Sequence, residues 1–333
     1  MSDVPVVPSP FSARLGVPDD LGAVLSVITA DDEAMVGETS MSLEQLETFL
    51  RAPAMDPDRD ILTVRDDAGR IVAGAAFELR QPGVMSMTFG WVHPEVYGKG
   101  IGQSILEWGV RNARSLVDEA PTGALVETVM PVNVKNERAV RLAERNGFSA
   151  TRYFLEMATP LDRDIEVTAF TDGLQLRTMR ADEGVERLSA AIDDAFRDHY
   201  GHVEAPIETV IARMENFRAS PMWDDSLVWL AEEGDEIAGF CVCIKSRGAD
   251  PNEGYVGSLG VRRPWRKRGL ARFLLTNAFA EYQRRGYESV ALDVDADSPT
   301  GATLLYESVG MAEVSRTLDY SLTIREGEDL ATR

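Results

Sequence analysis

The run Val256-Gly257-Ser258-Leu259-Gly260-Val261-Arg262-Arg263-Pro264-Trp265-Arg266-Lys267-Arg268-Gly269-Leu270-Ala271 joins an apolar segment to a basic glycine turn. It gathers five basic residues within seven positions of a chain whose formal net charge is -21. Apolar residues recur at helical spacing from Leu270 onward, which predicts a helix that begins at the turn. Backbone N–H groups and fixed positive charge at a helix N-terminus favour a phosphate or pyrophosphate, although a solvated charge run is the alternative.

A weaker copy of this run, from Val92 to Gly102, lies in the first half of the chain. An offset of 169 residues separates Gly100 from Gly269, and an offset of 163 separates Gly147 from Gly310. The similar offsets, which differ by six residues, predict an internal duplication with one loop deletion between the motifs. We therefore expect a flexible tail over residues 1–11, a first domain over 12–160 and a second over 161–333.

Each half predicts the same order of elements: a hairpin, a strand, the glycine turn, a helix, a further strand and a last helix. The predicted ranges in the first half are strands 61–65, 71–78, 85–92 and 123–130 and helices 101–117 and 136–145. In the second half they are strands 227–231, 236–244, 255–261 and 289–294, a helix from 270 and a last helix over 299–309. Ser298 is predicted to cap that last helix, with Pro299 at its first position and Gly310 at its end.

Composition excludes several classes of protein. A chain of 333 residues can hold two cores, and it contains no apolar run of the roughly 20 residues that cross a bilayer. Its acidity disfavours binding to nucleic acid or to anionic membranes and is compatible with a cationic amine substrate. The N-terminus lacks the basic region of a signal peptide, and Cys241 and Cys243 suggest a buried reduced pair, so we expect a cytoplasmic protein.

These motifs resemble the GNAT acetyltransferase superfamily in its tandem form, of which mycothiol synthase-like proteins are the nearest familiar architecture. Arg266 to Ala271 meets the family pattern Q/R-x-x-G-x-G/A, and Ala302 to Tyr306 and Gly310 follow at the family's distance. The resemblance implies an α/β fold of two tandem domains. Each would have a mixed, mostly antiparallel sheet with splayed central strands flanked by helices.

The resemblance also implies an acyl-CoA site in the second half. Its pyrophosphate would lie on Arg266, Lys267, Arg268, Gly269, Leu270 and Ala271, and Leu259, Gly260 and Val261 would offer main-chain groups to the pantetheine arm and the thioester. Tyr306 would protonate the departing thiolate, since its ordinary pKa of ~10 suits that transfer. Ser298 stands where many relatives have Asn, so it is a CoA contact or only a helix cap.

The first half departs from the family pattern at two positions. Tyr97 takes the Q/R position, and Ala143 stands where the second half has Tyr306. Gly98, Gly100 and Gly102 keep the backbone open to a ligand. We therefore expect the first half to be degenerate, with acyl-CoA binding and no catalysis.

Four residues are candidates for the acceptor side of the site. His199 and Tyr200 fall in the region that lines the acceptor pocket of relatives, and the alternative is a polar helix end. Glu253 and Tyr255 share one face at the start of the key strand, which makes Glu253 a candidate general base and Tyr255 a candidate acceptor contact. Glu253 is otherwise a surface acid. No arrangement of His, Cys or carboxylate predicts a metal site.

The predicted function is an acyl-CoA-dependent N-acyltransferase without a metal, most simply one that transfers acetyl from acetyl-CoA to a primary amine of a small molecule by direct attack. The expected partners are acetyl-CoA and that amine, with the protein a monomer or a homodimer. One alternative is a non-catalytic acyl-CoA sensor or assembly module. Others are a mycothiol synthase-type enzyme and a peptide N-terminal acetyltransferase.

Overall fold

The computed structural model describes residues 4–37, 39, 41–52, 55–170, 173–246, 248, 250–298 and 301–332. Contacts divide the chain into two units, one of Met1–Tyr153 with Thr317–Leu330 and the other of Phe154–Arg316 with Ala331–Arg333. Each unit has the mixed α/β architecture that the sequence predicts.

The first unit contains a mixed sheet with the strand order β1-β2-β3-β4-β5-β12. Its elements are β1 (Ser12–Leu15), α1 (Leu21–Met35), α2 (Leu43–Leu50), α3 (Pro57–Asp60), β2 (Ile61–Arg65), β3 (Ile71–Arg80), β4 (Met85–Val92), α4 (Ile101–Ser115), β5 (Val126–Asn133), α5 (Glu137–Arg145), the start of β6 (Ser149–Pro160) and most of β12 (Ala312–Arg325). The strand predicted over 123–130 begins three residues later, because Gly123 has a left-handed φ of 80° and belongs to the preceding turn.

The second unit repeats this plan with the strand order β6-β11-β10-β9-β8-β7. Its remaining elements are β7 (Gln175–Thr178), α6 (Glu186–Phe196), α7 (Ile207–Arg218), β8 (Val228–Glu233), β9 (Glu236–Ile244), β10 (Glu253–Val261), α8 (Leu270–Arg284), β11 (Ser289–Asp295) and α9 (Ala302–Ser308). Cys241 and Cys243 are fully buried free thiols on β9, as predicted, with 3.5 Å between their sulfur atoms.

Local chemistry accounts for most helix ends. Asn136 caps α5 by accepting a hydrogen bond from the N–H of Ala139 at 3.0 Å, and Gly147 and Gly310 follow the ends of α5 and α9 in the left-handed conformation. The predicted cap at Ser298 is wrong. Helix α9 begins at Ala302, and its N-cap is Gly301, whose N–H bonds to the carbonyl of Ser298 in a turn. Pro299, predicted at the first helical position, lies outside the described residues.

The central strands of each unit separate, as the resemblance implied. In the second unit β10 and β11 pair in parallel only from Glu253 with Ser289 to Val256 with Leu292. In the first unit the parallel pairing of β4 with β5 ends at Met87 with Val129. In each unit both strands continue beyond the last pair. A wedge therefore opens between the two strands, which no longer share backbone hydrogen bonds there.

The last strand of each repeat completes the sheet of the other unit. Residues 154–160 of β6 pair antiparallel with β11, and residues 317–325 of β12 pair antiparallel with β5. These two long strands were not predicted from the sequence. The boundary at residue 160 stays a prediction about the repeat in sequence, since the contact units are not contiguous.

Helices α4 and α8 fill equivalent places against the two sheets. Leu270, Leu274 and Phe279 are almost fully buried on α8. The segment expected to be a loose tail also packs: Pro5 is buried, and Val7 and Phe11 contact the core of the first unit. Within the described residues, every helix is too short or too polar to span a bilayer.

Candidate active site

The two glycine turns have the same backbone path. Gly98 and Gly100 have φ angles of 75° and 86°, and their counterparts Lys267 and Gly269 have 63° and 84°. Lys267 is the one non-glycine residue with positive φ in the part of the chain that the structure describes. Gly269 is the N-cap of α8 without a side-chain cap, so the first N–H groups of the helix face an open turn that suits an anion.

A cavity of about 560 Å³ in the first unit and one of about 530 Å³ in the second open where the central strands separate. The second cavity brings together most of the predicted site residues: His199, Leu259, Gly260, Val261, Arg266, Lys267, Gly269, Leu270, Ala271, Ser298 and Tyr306. Arg268, Tyr200, Tyr255 and Glu253 are not part of its wall. Arg272, which sequence reasoning missed, lines the cavity one turn into α8.

A β-bulge distinguishes the wall of the second cavity. Register shifts between Val256 and Ser258, which leaves Gly257 out of the ladder with β9. The corresponding pairing of β4 with β3 runs from Met85 to Val92 without a shift. Bulges re-aim backbone groups beside active sites, and this one lies where β10 begins to line the cavity.

Arg266 anchors the basic turn to α6. Its Nη1 lies 2.5 Å from Asp198, and its Nη2 and Nε donate to the carbonyls of Ala195 and Val261 at 2.8 and 3.0 Å. The guanidinium lowers the pKa of Asp198 to about 2, mainly through this hydrogen bond. The charge of Arg266 is thus already paired with Asp198. Lys267 and Arg268 of the same turn are exposed.

The first unit builds the same anchor from other residues. The Tyr97 hydroxyl donates to Asp31 of α1, and the Arg138 guanidinium lies 3.7 Å from the centre of the Tyr97 ring. Burial, followed by the bond to Asp31, raises the pKa of Tyr97 to about 12, so the phenol stays protonated. The first motif position therefore holds the turn in both units. Sequence reasoning missed Asp31 and Asp198 because only their distance to the turn identifies them.

Tyr306 lies on α9 with its side chain in the cavity wall. It is 7% exposed, and burial raises the pKa of its phenol, which keeps the hydroxyl protonated at neutral pH. Its counterpart in the first unit, Ala143, is fully buried in a satellite core. A proton donor is therefore present beside the second cavity and absent at the matching place beside the first.

The acceptor-side residues divide into two groups. His199 lines the cavity with its ring 4.6 Å from that of Phe196, and burial lowers its pKa, which favours the neutral imidazole. Glu253 lies at the opposite end of β10, where its carboxylate accepts a hydrogen bond from the Ser289 hydroxyl at 3.1 Å. The structure does not bring Glu253 to the cavity.

Tyr255 and Tyr200 do not line the cavity themselves and are connected to it only through neighbouring residues that do. The Tyr255 hydroxyl donates to Asp293 Oδ2 at 2.9 Å, and Asp293 lines the cavity. Tyr200 follows His199 in a loop that Thr332 holds by two backbone hydrogen bonds, one from Gly201 N–H and one to the His202 carbonyl. Sequence reasoning missed Asp293, because it is one of several acids on an acidic chain.

Residues 26–148 and residues 189–311 each match the acetyltransferase (GNAT) family. The chain belongs to that family. The predicted resemblance and the tandem arrangement are confirmed, and the protein is a GNAT enzyme, an acetyl-CoA-dependent N-acetyltransferase.

Individual GNAT relatives extend the match over most of the chain. It is 25% identical over 306 residues to a mycothiol acetyltransferase of Streptomyces coelicolor, covering 91% of this chain and 92% of the relative. A mycothiol acetyltransferase of Renibacterium salmoninarum is 25% identical over 69% of this chain, and the match spans 65% of that relative's length. The crystal structure of a GCN5-related N-acetyltransferase from Sphaerobacter thermophilus covers 98% of this chain and is wholly covered by it, with 31% identity and a TM-score of 0.82.

Proposed function

We propose that the second unit transfers the acetyl group of acetyl-CoA to a primary amine of a small molecule by direct attack. This proposal rests on one observation, the difference between the two units at a single equivalent position beside their similar cavities. Tyr306 is buried in the wall of the second, and its counterpart in the first unit is Ala143, which is buried in the core and outside the wall of the first cavity. A phenol there can protonate a leaving thiolate, and an alanine cannot.

In this proposal the pyrophosphate of acetyl-CoA lies on the N-terminus of α8. The N–H groups of Gly269, Leu270 and Ala271 and the charges of Lys267, Arg268 and Arg272 bind it, while Arg266 holds the turn in place. The main chain of Leu259 and Val261 binds the pantetheine arm in the wedge, and Ser298 contacts CoA from the turn before α9. Support for this placement comes from the uncapped helix N-terminus and from the cavity that these residues, apart from Arg268, line.

The chemistry follows from where charge develops. The neutral amine nitrogen attacks the thioester carbonyl carbon, and the backbone N–H near Leu259 and Gly260 stabilises the oxyanion of the tetrahedral intermediate. When the C–S bond breaks, the Tyr306 hydroxyl donates a proton to the CoA thiolate. The reaction needs neither a covalent acyl-enzyme nor a metal.

In this proposal the acceptor lies on the side of Tyr255, through its contact with Asp293, whereas His199 and the adjacent Tyr200 lie beside the pyrophosphate turn. Because the named relatives are mycothiol acetyltransferases, a mycothiol-type amine is an acceptor to test beside other small amines and a peptide N-terminus. We propose a cytoplasmic monomer or homodimer that binds neither nucleic acid nor membranes. In the first unit Gly98, Gly100 and Gly102 would hold acyl-CoA without catalysis.

The test is CoA thiol release from acetyl-CoA with a panel of primary amines, run on the intact chain and on Tyr306→Phe. We expect the variant to lose roughly 100-fold or more in kcat, the usual contribution of a positioned acid, with little change in the KM for acetyl-CoA. Tyr287→Phe removes a phenol outside the cavity wall and serves as the control. Equal turnover by Tyr306→Phe and the wild type would refute the assignment.

A further inference from the structure

We infer that Asp293 is the proton acceptor for the attacking amine and that Tyr255 is its positioning residue. This inference rests on the proposed function and adds to it the group that receives the proton of the amine. Neither the family match nor the named relatives identify this residue.

Asp293 occupies a distinct place on the splayed strands. The parallel pairing of β10 with β11 ends at Val256 with Leu292, so Asp293 is the first residue of β11 beyond the last pair. It is also the one exposed residue of β11, a strand otherwise buried or partly buried, and it lines the cavity. A carboxylate is thus in contact with both the wedge and solvent.

Tyr255 fixes the direction of this carboxylate. Its hydroxyl donates to Asp293 Oδ2 at 2.9 Å from the neighbouring strand. The Tyr255 ring is itself immobilised, because it is 9% exposed and packs with Ile244 and Phe217. A hydrogen bond from a rigid phenol holds one oxygen and thereby orients the whole carboxyl group.

The first unit supplies an internal comparison. At the sequence offsets that relate the two repeats, Tyr255 corresponds to Ser86, Asp293 to Met130 and Tyr306 to Ala143. All three positions with acid–base chemistry in the second unit lack it in the first, although both cavities have similar volumes. The joint loss groups Tyr255 and Asp293 with the proposed acid Tyr306.

Two other bases are less well placed. Glu253 lies at the far end of β10 and bonds to Ser289. His199 follows α6 beside Asp198 and Arg266, at the end of the cavity that holds the pyrophosphate turn, and the charges acting on it are those of Asp198, Arg266, Asp295 and His202. Asp293 instead lies where the strands part, on the wall of the wedge to which the proposed function assigns the pantetheine arm.

The amine nitrogen gives up two protons in the proposed reaction. The amine loses one proton to solvent and binds neutral, and its nitrogen forms the C–N bond to the thioester carbon. As the intermediate collapses, Asp293 accepts the second proton from nitrogen, the C–S bond breaks, and Tyr306 protonates the thiolate. Solvent then takes the proton from Asp293 and returns one to Tyr306, leaving the amide and CoA thiol.

The experiment compares two small nucleophiles at high concentration, ethanolamine and hydroxylamine, with the full chain. The nitrogen of hydroxylamine is far less basic, so its intermediate gives up a proton without a strong acceptor. We expect Asp293→Asn to lose roughly 100-fold in kcat with ethanolamine and less than roughly tenfold with hydroxylamine. Added formate should partly restore Asp293→Ala, while Asp235→Asn, which removes an equal charge from an exposed turn, should match the wild type.

Tyr255→Phe tests positioning. We expect its kcat with ethanolamine to fall by roughly tenfold with the KM for acetyl-CoA and Tm unchanged, a split that a packing defect would not give. Equal losses with both nucleophiles, no rescue by formate, or an equal effect of His199→Asn would overturn the role of Asp293 while Tyr306 keeps its own. If the wild type releases no thiol with these nucleophiles or with any amine of the panel, the proposed function fails and this inference fails with it.

Discussion

At the scale of single residues, the first position of the family motif has a role that its charge does not suggest. Arg266 donates to Asp198 and to two carbonyls, and Tyr97 donates to Asp31 in the other unit. A guanidinium in one unit and a phenol in the other thus have the same role, since each connects the turn to the first helix of its unit. Lys267 and Arg268 of the same turn have exposed side chains.

Asp198→Asn separates anchoring from simple electrostatics. Removing a negative charge near a phosphate site should tighten binding, but we expect acetyl-CoA affinity to fall by roughly fivefold, because a partly exposed ion pair contributes at most about 1 kcal/mol. Calorimetric titration with acetyl-CoA measures this, with Asp193→Asn on α6 as the control. Tighter binding by Asp198→Asn would contradict the anchor.

The pH dependence of the ion pair between Arg266 and Asp198 follows from the direction in which the pKa of Asp198 is shifted. Arg266 lowers the pKa of Asp198 to about 2, so the stabilisation is complete above the carboxyl's ordinary value and is lost only as pH falls toward about 2. The difference in acetyl-CoA affinity between Asp198→Asn and the wild type, measured by calorimetric titration, should therefore be constant over roughly pH 6 to 9.

At the scale of elements, each site is made by a helix that begins at a left-handed glycine and by two strands that part. Gly269 provides the turn into α8, and nothing lies within 4 Å of the position that a Cβ would take there. A side chain at this position is therefore limited by backbone conformation and by charge, and not by a clash. Asn and Asp tolerate the left-handed region best among non-glycine residues.

Gly269→Asp and Gly269→Asn share size and backbone cost and differ in charge. We expect the Asp variant to raise the KM for acetyl-CoA roughly tenfold above that of the Asn variant, which corresponds to about 1.4 kcal/mol of repulsion. Gly100→Asp is expected to lower the CoA bound per chain. If only the Gly100 change abolished turnover, the active unit would have been assigned wrongly.

The sequence predicted what depends on local chemistry and on repetition. Strands β4 and β9, the helix starting at Leu270 and the two glycine turns were placed correctly, because period and turn residues determine them. The cavity partners Asp198 and Asp293 could not be predicted, since each lies far along the chain from the residue it contacts. The cap predicted at Ser298 is wrong because α9 begins only at Ala302, where Gly301 in the left-handed conformation is the N-cap.

At the scale of the whole molecule, the repeats and the contact units do not coincide. Strand β6 begins in the first unit and ends in the second, and β12 does the reverse. Each sheet therefore contains a strand from the other repeat, beside β11 in one case and beside β5 in the other. A chain cut between the repeats leaves both sheets without a partner strand.

Expression of 1–160 alone is expected to give an aggregating protein, because β5 would present an unpaired edge. Co-expression of 1–160 with 161–333 should restore a soluble complex, measured by size-exclusion chromatography and CD. A monomeric, cooperatively unfolding 1–160 fragment would show that the first repeat closes its own sheet.

The exchanged strands also set an order of events on the ribosome. Strand β5 ends at Asn133, and its partner in β12 begins at Thr317, about 180 residues later. At the usual rate of synthesis the nascent chain carries that bare edge for roughly 10 to 40 s. During this interval chaperones that shield unpaired strands can bind the growing polypeptide. Slower translation of the second repeat should lower the soluble yield of the protein.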